Sequence, residues 1–221
     1  KLTDILTDDT KHKEVLTKEQ TDKLLEFVKN DAVYNRYYNE VVVLLNTGLR
    51  ISELCGLTVN DLDFENGFIN VNHQLLRDKD GYHVDVPKTE SGLRKIPMLA
   101  VTRKALQEQL QKSKGKCAIA VDGYSDFIFL NARNYPMYAV LYNNALNGLV
   151  KKHNKMYKDY EFPHISPHVL RHTFCTNMAN ARMTPNNLQY IMGHKNITMT
   201  LGYYTHASCE SAMTEMLSIV A

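Results

Sequence analysis

Between residues 68 and 97 the hydrophobic pattern of this chain alternates with a period of two, while on both sides it keeps helical spacing, and few architectures fit that order. The alternation predicts three short antiparallel strands at 68–72, 82–86 and 94–97, separated by turn residues at 78–81 and 89–92. Before this block, Thr17 and Gln20 form a capping-box pattern that opens a helix carrying Leu24, Leu25 and Val28 on one side. A second helix is expected over 34–47, with Val41, Leu44 and Leu45 inward and Gly48 ending it, and a short third one over 51–56. After the block, helices are expected at 99–113, 138–155, 167–181, 185–192 and 208–220. Ser166-Pro167 and Thr184-Pro185 mark two of their starts, each a capping residue before proline at the first helical position. The expected fold class is therefore α+β, mainly helical, with a small three-stranded antiparallel sheet inserted after the third helix.

With 221 residues, 44% of them hydrophobic and 23% charged, the chain can bury a proper core. No proline- or glycine-rich linker divides it, so residues 1–221 are read as a single domain. The longest apolar run, Val41 to Leu45, is far shorter than the roughly 18 residues of a membrane span, so no membrane partner is expected. Cys55, Cys117, Cys175 and Cys209 are far apart and form no CxxC pair, which fits reduced thiols in a cytoplasm better than a zinc ribbon or a disulfide framework. The opening Lys1-Leu2-Thr3 lacks an initiator methionine and a secretory pattern, and suggests a fragment of something longer. A net charge of +2 does not announce a polyanion partner, but its distribution is uneven. Eight basic residues face two acids between Lys88 and Lys116, whereas residues 1–31 carry six basic and eight acidic residues. Such a stretch suits a phosphate-facing surface, although a solvated face would look the same.

Four local patterns can carry chemistry. Arg50 starts a short helix with Glu53 three residues on, able to steady its guanidinium; a surface ion pair is the plainer reading. His168 and Arg171 share a helix face, placing an imidazole beside a second guanidinium. His168 and His172 also have the i,i+4 spacing of a metal pair, but no glutamate stands between them as a metalloprotease base would. His194 follows Gly193 at a helix end, where a cap is the ordinary role, and Tyr203 and Tyr204 can be simple packing aromatics.

Taken together and in order, TGLRISEL, PKTESGLRKIP, HVLRHTF, MGHKNITMT and GYYTH resemble the tyrosine recombinases of phage and Xer type, most of all the integrases of conjugative transposons. The resemblance covers roughly residues 15–220. It implies Arg50 and Arg171 as phosphate clamps, Lys88 as a hairpin lysine that protonates the leaving 5′ oxygen, His168 and His194 as flanking hydrogen-bond donors, and Glu53 as the support of Arg50. Arg94 and Lys95 are expected to meet DNA. Many relatives place the nucleophile nine residues after the equivalent of His194, which lands on Tyr203; the Tyr-Thr-His wording selects Tyr204 instead. The implied activity is cleavage and rejoining of DNA through a 3′-phosphotyrosine, without metal or cofactor, for integration and excision of a mobile element in a bacterial cytoplasm. Expected partners are double-stranded recombination sites, further copies of the chain in a tetramer on DNA, and an accessory excision factor. Residues 1–14 would be a linker from N-terminal DNA-binding domains. Residues 206–221, with Met213, Met216, Leu217 and Val220 in a helical stripe, would form a helix exchanged between protomers. A type IB topoisomerase, a DNA-binding module with a dead site and a histidine-metal nuclease are the competing readings.

Overall fold

The computed structural model describes residues 14–87 and 92–204, together with Met213, Met216 and Leu217. Helix α1 (Lys18–Asn30) opens on the expected capping box: Thr17 Oγ1 accepts from the Gln20 amide at 3.1 Å, and Gln20 Oε1 accepts from the Thr17 amide at 2.9 Å. Leu24 and Val28 are fully buried. A 3₁₀ turn, Asn35–Tyr37, leads into α2 (Tyr38–Thr47). The expected one-sided face of α2 is too narrow: Val41, Val42, Val43, Leu44 and Leu45 are all buried, because α1, α4 and α6 surround the helix. Each such side chain stabilises the fold by about 1.5–3 kcal/mol relative to exposure. Gly48, at φ 63°, ends α2, and α3 (Ile51–Gly56) starts three residues later.

The strands are β1 (Leu62–Asp63), β2 (Phe68–Val71), β3 (Gln74–Asp78), β4 (Gly81–Asp85) and β5 (Arg94–Pro97). Three of them form an antiparallel sheet in the order β1-β2-β5, with Val71 opposite Arg94 and Phe68 opposite Pro97. β4 does not join it; it pairs with β3 in a separate hairpin closed at Asp78–Gly81. Period-two alternation discloses neither β1, which is only two residues long, nor β3, whose adjacent leucines break the pattern.

Helices α4 (Ala100–Ser113), α5 (Ala139–Met156), α6 (Pro167–Asn180) and α7 (Pro185–Met192) follow the expected bounds to within a residue. α8 (Ile197–Leu201) is an addition, capped by Asn196, whose Oδ1 accepts from the Thr198 amide at 3.0 Å. The main core runs from Leu16 to Leu170; a second cluster gathers Phe174, Cys175, Ala179, Leu188, Met192 and Tyr203 from α6, α7 and the turn after α8. Cys55 and Cys117 are free thiols, and Cys175 is buried in the second cluster. Cys209, residues 1–13 and most of the expected final helix lie outside the described residues, and Met213, Met216 and Leu217 are helical and exposed. Among the described residues no helix is long and apolar enough to cross a membrane.

Candidate active site

The site is built where the ends of α2, α3, α6 and α7 meet β5. Arg50 is the N-cap of α3, and Glu53 in the first turn reaches back to it: Glu53 Oε2 accepts from the Arg50 amide at 2.7 Å and Oε1 from Arg50 Nη1 at 2.8 Å. Arg50 Nη2 donates to the Gly193 carbonyl at 2.7 Å. A second guanidinium shares the same carboxylate, since Arg94 Nη1 donates to Glu53 Oε1 at 2.9 Å and Nη2 to Oε2 at 2.8 Å. Burial alone would raise the Glu53 carboxyl, but the hydrogen bonds and charge of Arg94, followed by the charge and amide of Arg50, outweigh it and hold the group at about 2.

Arg171 comes from α6, one turn after the Ser166 cap, and is 5% exposed. Its Nη1 donates to the Gly48 carbonyl and its Nη2 to the Met192 carbonyl at 2.5 Å. Arg50 and Arg171 therefore grip consecutive carbonyls of one turn, at Met192 and Gly193. Burial, together with the like charges of Arg50 and Arg94, lowers the Arg171 guanidinium to about 10, so it stays charged at neutral pH. His194 follows in the same turn, buried, with Nδ1 3.0 Å from Thr200 Oγ1. His168 stands exposed on α6, its ring 6.0 Å from that of His172.

The two tyrosines are placed differently. Tyr203 is buried, its hydroxyl lies 2.5 Å from His172 Nδ1, and its ring stacks 6.4 Å from that of His194. Tyr204 is half-buried against the second cluster, and its hydroxyl donates to the Met183 carbonyl rather than to any group of the arginine cluster. Burial raises both phenols above their ordinary value, with the Cys175 thiol adding to it; Arg171 pulls Tyr203 back in part.

A cleft of about 240 Å³ opens beside Arg50, bounded by His73, Gln74, Pro87, Gly92, Gly193 and Lys195. Pro87 and Gly92 flank the position of Lys88, which lies outside the described residues. Lys95 is exposed on β5, its amide donating to Tyr190 Oη at 3.1 Å. Arg94 corrects the sequence reading: its side chain is fully buried, with Nε on the Ile191 carbonyl at 2.7 Å and both terminal nitrogens on Glu53, so it cannot meet DNA as expected. The alternation of β5 already placed Arg94 and Ile96 on one face and Lys95 on the other. The backbone acceptors Gly48, Met192 and Gly193 were not foreseen, because a carbonyl's role has no residue type to announce it. Among the described residues no three histidine, cysteine or acidic side chains gather into a metal-binding set.

The model of the phage integrase family matches residues 14–211. The chain belongs to that family. It is 56% identical over 213 residues to the transposase from transposon Tn916 of Enterococcus faecalis, covering 96% of this chain and 52% of the relative. It is also 31% identical over 176 residues to the tyrosine recombinase XerC of Bacillus subtilis, covering 80% of this chain and 51% of the relative. The chain thus spans about half the length of these relatives. In three dimensions it superposes on the Tn1549 transposon integrase in complex with a circular intermediate DNA with a TM-score of 0.90 at 51% identity, over 99% of this chain and 70% of that one. The fold is that of the tyrosine-recombinase catalytic domain, and the expected mainly helical α+β class stands.

Proposed function

We propose that this phage-integrase family protein is a site-specific DNA recombinase that cuts and rejoins DNA for integration and excision of a mobile element. The observation that carries the reading is the pair of guanidiniums, Arg50 and Arg171, anchored to consecutive carbonyls at Met192 and Gly193 beside His194. A phosphodiester is already an anion, so attack on it needs cations that bind more strongly as charge builds on its non-bridging oxygens. Two fixed guanidinium forks supply this without a metal ion.

In the proposed step the Tyr204 oxygen bonds to phosphorus as the bond to the 5′ oxygen breaks. The phenol proton passes to His168, and Lys88 gives a proton to the departing 5′ oxygen, which leaves as a 5′ hydroxyl. The 3′-phosphotyrosine keeps the bond energy, so the reverse attack by a 5′ hydroxyl reseals DNA without ATP. Glu53 supports Arg50, His194 is a second hydrogen-bond donor to the phosphate, and exposed Lys95 contacts the DNA backbone. Tyr204 is favoured over Tyr203 for two reasons. Tyr203 is buried with its hydroxyl on His172, whereas Tyr204 needs only to release a carbonyl. In the Tn1549 integrase complexes, one arginine-to-lysine and one tyrosine-to-phenylalanine substitution lie 154 residues apart, which is the separation of Arg50 from Tyr204.

Tn1549 integrase complexes with transposon right end DNA and circular intermediate DNA support recombination sites as the substrate here. Residues 1–14 then serve as a linker from N-terminal DNA-binding domains, and 206–221 as a helix given to a neighbour in a tetramer on DNA, with an accessory factor biasing excision. The setting is a bacterial cytoplasm. The test is a nicked suicide duplex built on the joined ends of the mobile element, from which the cut product diffuses away. A covalent adduct is expected in EDTA, abolished by Tyr204→Phe and retained by Tyr203→Phe. The reverse pattern moves the nucleophile to Tyr203, and adducts in both variants would sink the mechanism.

A further inference from the structure

Arg94 has no outward face, yet its side chain binds the carboxylate that holds Arg50 and a carbonyl two residues before the one that holds it. Glu53 accepts four hydrogen bonds, two from Arg50 and two from Arg94, and each carboxylate oxygen takes one from either residue. The Arg94 side chain is fully buried, whereas that of Arg50 is 36% exposed and borders the cleft. Arg94 Nε holds the Ile191 carbonyl at 2.7 Å, at the end of the helix whose next turn offers Gly193 to Arg50. One buried guanidinium therefore shares the first anchor of Arg50 and braces the helix end two residues before the second.

The charges give this arrangement a second consequence. Glu53 is one anion between two cations, so the trio carries one net positive charge and its exposed member is Arg50. Without Arg94 the carboxylate pairs with Arg50 alone and cancels it. We propose that Arg94 is a positioning residue for strand cleavage, which shares the Glu53 carboxylate so that Arg50 keeps its positive charge for the scissile phosphate. The inference rests on the reading of Arg50 as a phosphate clamp. It departs from the role expected of a basic residue in a DNA-facing stretch, since the buried Arg94 side chain acts through Arg50 and not by touching DNA.

The test is single-turnover cleavage of the suicide duplex at saturating protein, with DNA affinity measured at several salt concentrations. Wild type and Tyr204→Phe come first: without an adduct in the wild type, or with one in Tyr204→Phe, the functional reading fails whatever Arg94 does. Given that control, Arg94→Met is expected to slow cleavage by about 10²-fold at saturating protein, the scale on which a preorganised transition-state donor counts, so that the defect persists when all the DNA is bound. Adding Glu53→Gln to Arg94→Met removes the unshared anion and restores one net positive charge, so the double variant should cleave about tenfold faster than Arg94→Met. A purely structural role predicts the opposite, because a second buried partner is lost. Arg94→Lys keeps the charge without the fork and should fall between wild type and Arg94→Met; it carries the test if circular dichroism shows Arg94→Met unfolded. Cleavage by Arg94→Met within about threefold of wild type would overturn the proposal. So would a double variant slower than the single one, or an Arg94→Met defect confined to DNA affinity and absent at saturating protein.

Discussion

At the scale of single residues, Gly193 is the glycine that packs against both guanidiniums sharing Glu53. Its φ of 60° lies in the left-handed region, and a Cβ there would stand 2.9 Å from Arg94 Nη1, 3.1 Å from Arg94 Cζ and 3.3 Å from Arg50 Nη1. Gly193→Ala therefore has two costs. The left-handed backbone costs about 1–2 kcal/mol of stability, which a urea melt would read. The methyl also presses on both guanidiniums that share Glu53, and turns the carbonyl that anchors Arg50. Single-turnover cleavage should fall by about tenfold or more, beyond what the lost stability explains, since misplacement of a catalytic group by an ångström is costly. Unchanged cleavage at full folding would mean that the Gly193 carbonyl does not set the pose of Arg50.

At the scale of elements, caps decide where the functional side chains come to rest. Ser166 Oγ accepts from the Val169 amide at 3.3 Å and starts the helix that presents His168 and Arg171. Thr17 does the same for α1, which carries no proposed catalytic residue. Each change to alanine should cost about 1 kcal/mol in a thermal melt. Only Ser166→Ala should also slow cleavage, because fraying there moves Arg171 and fraying of α1 moves nothing in the site. These same caps explain what was legible beforehand. Thr17, Gly48, Ser166 and Pro185 announce helix ends by residue type, so α1, α2, α6 and α7 could be bounded from the chain alone. Strand partnership has no such marker: whether 82–86 lies beside 94–97 or 74–78 depends on contacts between distant residues, and the structure chose the latter. The site divides in the same way. Arg50, Glu53, Arg171 and His194 stand together as their motifs suggest, whereas the inward turn of Arg94 and the docking of Tyr204 on Met183 follow from tertiary packing.

At the scale of the whole molecule, two buried glutamates pull the pH dependence of stability in opposite directions. Glu53, held at about 2 against an ordinary 4.5, contributes stability that is present above 4.5 and is lost as pH falls through 2. Glu40, on α2, is the converse case. Burial pushes it up to about 7, only partly offset by its own amide, the Lys112 charge and a hydrogen bond from Tyr142 Oη at 3.3 Å. Its other oxygen, Oε2, is buried with no hydrogen-bond partner among the described residues. A carboxyl whose folded value is raised stabilises the fold below 4.5, and that contribution drains away as pH rises through about 7. A shift of this size corresponds to about 3 kcal/mol, from the conversion of 1.36 kcal/mol per pH unit. These two groups therefore favour a stability maximum near pH 4.5, well below neutrality. Denaturant midpoints taken from pH 3 to pH 9 should show a decline between about 4.5 and 7 that Glu40→Gln flattens, while the acid limb below 4.5 persists. A variant with the same decline as the wild type would place the titration on another group and leave Glu40 ionised inside the core.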